Sequence, residues 1–295
     1  MRIQVWDTQQ VDQQQQAMSA WSQHYQQMSP GAFCGRIVHL QLSGVEVFEE
    51  RMNTRVEQSF HAPTESLSFS FDSVENSLYL LNGDSQNTWI TPEHYSEVGL
   101  VFSKAFLANT GCADLEALEG LFLTQLRSPH CRLFNSWLSK TLAGLAMATD
   151  QQESETLSRQ LFDDCLFIVD SASNVLDVAS GCRVANDRRT VNRVVELVRA
   201  CPDEHFNSMQ LAKAAGVSVR QLQQSFTGFT GVSPALWLRL RRLNAARRDL
   251  LKASVHETTV AQVAMRWSFW HLGRFSRAYK ELFNELPSCT LSRKF

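Results

Sequence analysis

Residues 211–226 and 263–279 carry one pattern of small, apolar and capping residues twice, and a single helical hairpin cannot account for both copies. Leu211-Ala212 aligns with Val263-Ala264, and Gly216-Val217 with Ser268-Phe269, at an offset of 52. Past the turn the offset is 53, pairing Ser218 with His271, Leu222 with Phe275 and Phe226 with Tyr279. The second turn therefore holds one extra residue, Trp270. Each copy has the same physical logic. A short helix presents a small Ala where a second helix must approach closely, and a tight turn follows that favours a residue tolerant of positive φ. A new helix then opens at Ser218 or His271, with apolar residues four and eight positions on forming one buried stripe. That is the pattern of a helix-turn-helix, here in tandem.

Between the copies, Pro234 suits the first turn of a helix running to about Ala253. Trp237, Leu238, Leu243, Ala246, Leu250 and Leu251 give it a core face, and Arg239, Arg241, Arg242, Arg247 and Arg248 are expected largely on other faces. Twenty helical residues span about 30 Å, enough to hold two reading helices about one turn of B-DNA apart. Charge agrees. Residues 181–295 hold 19 basic and 8 acidic residues, whereas residues 1–180 hold 9 and 22. The overall net charge of −2 conceals this division. Screening limits a field to about 8–10 Å at ordinary salt, so the local surplus is what a phosphate backbone feels.

The acidic half has a different texture. Strand-like stretches occur at Arg36–Leu42, Val45–Met52, Arg55–Phe60, Leu67–Phe71 and Ser77–Leu81. Leu67 to Phe71 alternates apolar residues with Ser, as a half-buried strand should. Helical spacing follows in Leu115, Leu118 and Phe122, then in Phe134, Trp137 and Leu138, then in Leu157, Leu161 and Cys165. An α+β domain is expected, a small barrel-like meander backed by helices. No G-x-S-x-G, Walker A, G-x-G-x-x-G or H-E-x-x-H motif occurs, so no catalytic residue and no metal ligand is assigned. The seven cysteines form no C-x-x-C pair, and no apolar run reaches the roughly 18 residues of a membrane helix. Met1 to Gln16 is polar and unlike a signal peptide, so a cytoplasmic protein with reduced thiols is expected.

The series Leu211-Ala212, Ser218-x3-Leu222, Phe226, Gly231-x2-Pro234, Trp237-Leu238, Arg242-Leu243, Ala246, Leu250-Leu251, Val263-Ala264, Phe269, Phe275-x-Arg277-x-Tyr279-Lys280 and Pro287 resembles the AraC/XylS family of bacterial transcription regulators. The resemblance covers about residues 195–295. Two positions depart from it: Ser268 stands where the family has Gly in the second turn, and Asn284 replaces a late Gly. Within the family, Ala264-Met265-x-Trp267-x-Phe269-Trp270-His271-Leu272-Gly273 is similar to regulators of ethanolamine-utilisation operons. Ala20-Trp21-x3-Tyr25, Pro30-Gly31-x-Phe33-x-Gly35 and Val47-Phe48 are similar as well. The resemblance implies an effector-sensing and dimerisation domain over 1–180, a linker over 181–190 and a tandem helix-turn-helix domain over 191–295. It further implies a small-molecule effector, in that group ethanolamine with adenosylcobalamin, and RNA polymerase as a partner. No cofactor is required for the fold, and the D-x-H-x-x-G cobalamin motif is absent.

Helix geometry assigns the DNA contacts. Leu222 and Phe226 face inward, leaving Arg220, Gln223, Gln224 and Thr227 outward. Arg pairs bidentately with guanine and Gln with adenine, which makes Arg220 and Gln223 base readers and Gln224 and Thr227 phosphate contacts. In the second copy Leu272, Gly273, Arg274, Arg277 and Lys280 face outward. Arg274 is expected at a base, Leu272 at a thymine methyl, and Arg277 and Lys280 on phosphate. Trp267, Phe269 and Trp270 are expected in the core. For an amine effector, bound between the strands and the helices of the front domain, candidates are Glu49, Glu50, Glu57 and Asp72, with Trp21 or Tyr25 facing the ammonium. Surplus apolar residues at Leu121, Leu123, Leu142, Leu145 and Leu161 suggest a homodimer. Two other classes remain open: an enzyme with a β-barrel catalytic domain and a DNA-targeting module, and an effector-independent architectural DNA binder.

Overall fold

The structure is a computed structural model describing residues 2–18, 20–83, 87–110, 118, 120–144, 151–173, 178–201, 204 and 206–293. Its front half pairs ten strands, all antiparallel, in two sheets. They are β1 (Arg2–Thr8), β2 (Ser22–Gln27), β3 (Gly35–Gln41), β4 (Val45–Met52), β5 (Val56–His61), β6 (Ser66–Asp72), β7 (Ser77–Asn82), β8 (Asn87–Ile90), β9 (Tyr95–Ser103) and β10 (Leu126–Arg127). Seven form one sheet in the order β1-β3-β4-β9-β6-β7-β10, and β2-β5-β8 form the other. Short helices α1 (Val11–Ala17) and α2 (Lys104–Thr110) join this unit, followed by the longer α3 (Pro129–Gly144) and α4 (Gln151–Ser173).

The large sheet is buried on both faces. Leu67, Phe69, Phe71, Leu78, Leu80, Val98, Leu100 and Phe102 pack with Phe134 and Leu138 of α3 and Leu161, Phe162, Cys165 and Ile168 of α4. The opposite face meets the small sheet. This explains why Ser68 and Ser70 are buried although their alternation reads as half-exposed: they face the space between the sheets, not water. Phe122 does not continue a helix with Leu118, because it bridges Leu80 at the sheet edge instead. Leu115 lies outside the described residues. Of the apolar residues expected to form a dimer stripe, Leu142 and Leu161 are core, while Leu121 packs against the core. Leu123 is half-buried, and the side chain of Leu145 lies outside the described residues. The apolar side chains left open on α3 and α4 are Leu133, Trp137 and Phe167.

The C-terminal half is helical: α5 (Val178–Ala200), α6 (Ser208–Ala215), α7 (Val219–Thr230), α8 (Pro234–Lys252), α9 (Val260–Arg266), α10 (Leu272–Phe283) and α11 (Pro287–Leu291). Residues 181–190, expected to be a linker, lie inside the continuous helix α5. One core gathers Val191, Val194, Leu211, Ala212, Leu222, Phe226, Trp237, Leu243, Leu250, Ala264, Phe275 and Tyr279. Trp237 is fully buried at its centre, and truncation of such a residue to Ala costs about 3–5 kcal/mol.

The repeat is visible in hydrogen bonds. Val217 N donates to Ala212 O at 3.0 Å, and Phe269 N donates to Ala264 O at 2.9 Å, which preserves the offset of 52 through the turn. Gly216 ends α6 at φ 71°. Ser268 sits at φ 61° in the equivalent position, the left-handed conformation expected to strain a residue with a Cβ. Asn284 ends α10 at φ 56°, where Asn is well tolerated. Ser218 caps α7 by accepting from Gln221 N, whereas His271 starts α10 without a side-chain cap bond.

Candidate functional site

All nine residues assigned to DNA are exposed. Arg220, Gln223, Gln224 and Thr227 lie along α7, and Leu272, Gly273, Arg274, Arg277 and Lys280 along α10, while the inward Leu222, Phe226, Phe275 and Tyr279 are each no more than 1% exposed. α8 spans 19 residues, about 28 Å, between the two helical pairs. Trp270, expected in the core, is instead 73% exposed. It is the inserted residue of the second turn, with no place in a stripe set by Phe269 and Phe275. Trp267 and Phe269 do pack against the core.

The arginines of α8 divide. Arg239 is exposed. Arg247 is buried, pairs with Glu285 and covers the Phe283 ring at 4.7 Å. Arg241 and Arg248 turn toward the strand domain, so the expectation that this run points away from packed surfaces fails for them. Arg241 Nη1 donates to Glu57 Oε1 at 2.6 Å, and Trp237 Nε1 donates to Glu57 Oε2. Asn244 and Gln27 add a reciprocal pair: Gln27 N donates to Asn244 Oδ1 at 3.0 Å, and Asn244 Nδ2 donates to Gln27 O at 2.8 Å.

The effector candidates separate in the same way. Trp21, Tyr25 and Glu50 line one small cavity of about 20 Å³ between the sheets, with Met18, Phe48, Gln58, Phe60, Ser68, Trp89 and Glu97. This is not the expected space between strands and helices, which the core fills. Three carboxylates lie elsewhere. Glu49 pairs with Arg51 at 2.7 Å, Glu57 is consumed by the domain contact, and Asp72 accepts from Val74 N and Glu75 N to close a turn. Glu97 and Gln58 were not singled out from the sequence. Glu97 accepts from Tyr95 Oη on its own strand and from Ser70 Oγ on β6, the latter brought close only by the sheet register.

The cavity's electrostatics are unusual. Glu50 accepts from Tyr25 Oη at 3.1 Å, Gln58 Nε2 at 2.8 Å and Gln14 Nε2 at 3.0 Å. Burial, aided by the nearby Glu97, still pushes its carboxyl up to about 8, and burial also raises Glu97. Two carboxyl groups share the site with no cation among the described lining residues, while Trp21 Nε1 and Ser68 Oγ are buried there without a hydrogen-bond partner. No cluster of three His, Cys, Asp or Glu among the described residues could hold a metal ion. Among the same residues no helix is long and apolar enough to cross a membrane.

The sequence of the second half matches a known family over residues 211–293, described as a helix-turn-helix domain. Residues 211–293 are a helix-turn-helix domain. The chain is 38% identical over 98 residues to a probable thc operon regulatory protein of Rhodococcus erythropolis, a match covering 33% of this chain and 30% of that protein. It is 36% identical over 100 residues to XylDLEGF operon transcriptional activator 2 of Pseudomonas putida, covering 34% of this chain and 64% of the relative. A solved probable AraC family transcriptional regulator from Rhodopseudomonas palustris is 33% identical, covers 35% of this chain and 95% of its own, and superimposes with a TM-score of 0.32. The chain thus spans under two thirds of these curated relatives. The matches cover only 33–35% of this chain.

Proposed function

We propose that the protein is a sequence-specific transcription regulator whose helix-turn-helix domain reads duplex DNA through α7 and α10, under control of a ligand in the strand domain. The observation that carries this reading is the pair of exposed polar faces, Arg220 to Thr227 and Leu272 to Lys280, on helices whose inner faces are fully packed. Arg220, Gln223 and Arg274 read bases, Leu272 touches a thymine methyl, and Gln224, Thr227, Arg277 and Lys280 hold phosphates. Selection of bound duplexes from a random pool by the full-length chain is expected to enrich one bipartite motif. Binding without enrichment would instead identify an architectural DNA binder.

The effector that suits the front domain is a small amine. A buried carboxyl pair beside the indole of Trp21 meets the needs of an ammonium group, which replaces the proton that Glu50 otherwise retains. A cation–π contact there contributes about 0.5–2 kcal/mol. A cavity of about 20 Å³ takes a group the size of one water or ammonium, so the remainder of the ligand requires displacement of Met18 or Trp21. Ethanolamine is the first candidate, by resemblance. Adenosylcobalamin is far larger than this cavity and enters only as an arm of the experiment. Calorimetry with ethanolamine, adenosylcobalamin and both together, beside DNA titrations, tests this: no heat and no change in DNA affinity in any combination rejects the amine reading. RNA polymerase contact and self-association through Leu133, Trp137 and Phe167 complete the proposal.

A further inference from the structure

A second and larger cavity, about 390 Å³, lies between the domains. β2 forms part of its wall because successive residues point to opposite faces. Tyr25 faces the cavity between the sheets, whereas Ser22, His24 and Gln26 face the helical domain, joined by Ser59 and His61 of β5. From the other side come Arg199 of α5 and Arg241, Arg242 and Arg248 of α8, over an apolar floor of Val198, Phe206, Leu238 and Trp267.

Four guanidinium groups converge here against few carboxylates. Glu57 lies behind the wall, 2.6 Å from Arg241 and 3.8 Å from Arg199, and Glu204 lies at the exposed rim. Asp249 is taken by Arg266 and Trp267 Nε1, both at 3.0 Å. Asp12, near Arg248, has its carboxyl raised by burial against the opposing pull of Arg247 and Arg248. His24 offers no relief: it accepts from Arg248 Nη1 at 3.2 Å and is held neutral, its ring lowered to about 4 by burial and the arginines. Of the carboxylates, Glu204 alone joins these four arginines in lining the cleft. Arg199 Nη2 and Arg242 Nε have no hydrogen-bond acceptor, and the Ser59 hydroxyl, on a residue 5% exposed, is also unpartnered; Gln26 Oε1, an acceptor, is unpaired as well. Buried donors without acceptors are costly, and guanidinium forks match the geometry of oxyanions.

We propose that this cleft binds a small organic dianion, a phosphate monoester or a dicarboxylate, held by Arg199, Arg242, Arg248 and Ser59 with its carbon portion against Phe206 and Trp267. The volume suits a metabolite, and the apolar floor distinguishes the site from one for a bare ion. Because the ligand touches β2 and β5 on one side and α5 and α8 on the other, it stabilises the docked arrangement of the two domains. This site is separate from the amine cavity, although Gln23 borders both.

Calorimetry on the full-length chain with glycerol phosphate, inorganic phosphate, succinate and acetate, at matched ionic strength, tests the proposal. At least one dianion is expected to bind saturably, with acetate tenfold weaker or more. Preference for glycerol phosphate over succinate identifies the monoester, and the reverse order identifies the dicarboxylate. Arg242→Gln is expected to weaken binding at least fivefold. Since Arg242 also covers the Phe269 ring at 5.5 Å, Ser59→Ala serves as the near-isosteric variant and is expected to weaken binding with unchanged melting temperature. Absence of dianion binding, or unchanged affinity in both variants, overturns the assignment.

Discussion

The guanidinium of Arg188 lies 5.5 Å from the ring centroid of Trp89, which lines the cavity between the sheets. The same group sits 5.5 Å from Tyr79 and 6.0 Å from Phe229 near the end of α7, and it donates to Leu123 O. One side chain of α5 thus touches the wall of the proposed effector site and a helix proposed to read DNA. Arg188→Ala is expected to destabilise the protein by about 1–3 kcal/mol, from lost cation–π contacts and a carbonyl left unpaired. Arg188→Lys retains charge but not the planar stack. It is expected to leave DNA binding without effector nearly intact while reducing the shift in DNA affinity on adding ethanolamine, measured by paired titrations.

Thermal stability without ligand carries the signature of Glu50. Its carboxyl moves from an ordinary 4.5 to about 8 on folding, so the folded chain binds more protons than the unfolded chain between those values. The associated stability is fully present below 4.5 and is lost as pH rises through 8. His24, lowered from 6.5 to about 4, acts with the opposite sign but only below 6.5. Between pH 6.5 and 8 the melting temperature is therefore expected to fall, equivalent to about 1–2 kcal/mol, and Glu50→Gln is expected to flatten that decline. Calorimetric scans across this window decide it.

For DNA, Arg220→Ala is expected to cost about 1–3 kcal/mol on the preferred duplex and to relax selection at one base position. Arg277→Ala should weaken binding to every sequence alike and reduce the salt slope by about one unit. Equal losses on specific and random duplexes in both variants would refute this division of roles.

The two turns make a matched pair. Gly216→Ala places a Cβ at φ 71° with nothing within 4 Å of it, so its cost is backbone alone, about 1–2 kcal/mol. Ser268→Gly is expected to go the other way, raising stability by up to about 1 kcal/mol, as relief at φ 61° outweighs the added chain entropy. Denaturant midpoints of the two variants test both signs.

Legibility varied with the range of the interactions involved. The repeat, its one-residue insertion and the exposed faces of α7 and α10 could be read directly, because helical stripes and turn residues are local. Val45–Met52 was read with its observed bounds for the same reason. Glu97 was not legible as a partner of Glu50, since their approach depends on β4 pairing with β9 across some fifty residues. Glu57 was misplaced because a carboxylate on a strand does not reveal whether it faces a ligand or another domain. Trp270 was misjudged by chemical type: indole suggests burial, but an inserted residue falls off the periodic face. β2 lay in a polar, Gln-rich segment whose alternation is masked by two glutamines that are buried, Gln26 and Gln27.

The unbroken run of α5 from Val178 to Ala200 phase-locks Arg188, packed on Trp89 of the strand domain, to Val194 in the core of the helical domain. A flexible tether could be lengthened freely, and one front domain exchanged for another with little regard to the join. A helical shaft cannot, because each added residue advances it by about 1.5 Å and turns it by roughly 100°. A single inserted residue would carry Arg188 away from Trp89, whereas seven would nearly restore its bearing, at the expense of distance. Exchange of front domains onto this helix-turn-helix domain is thus constrained by angle as much as by fit, and well-folded chimeras should recur at helical intervals of length.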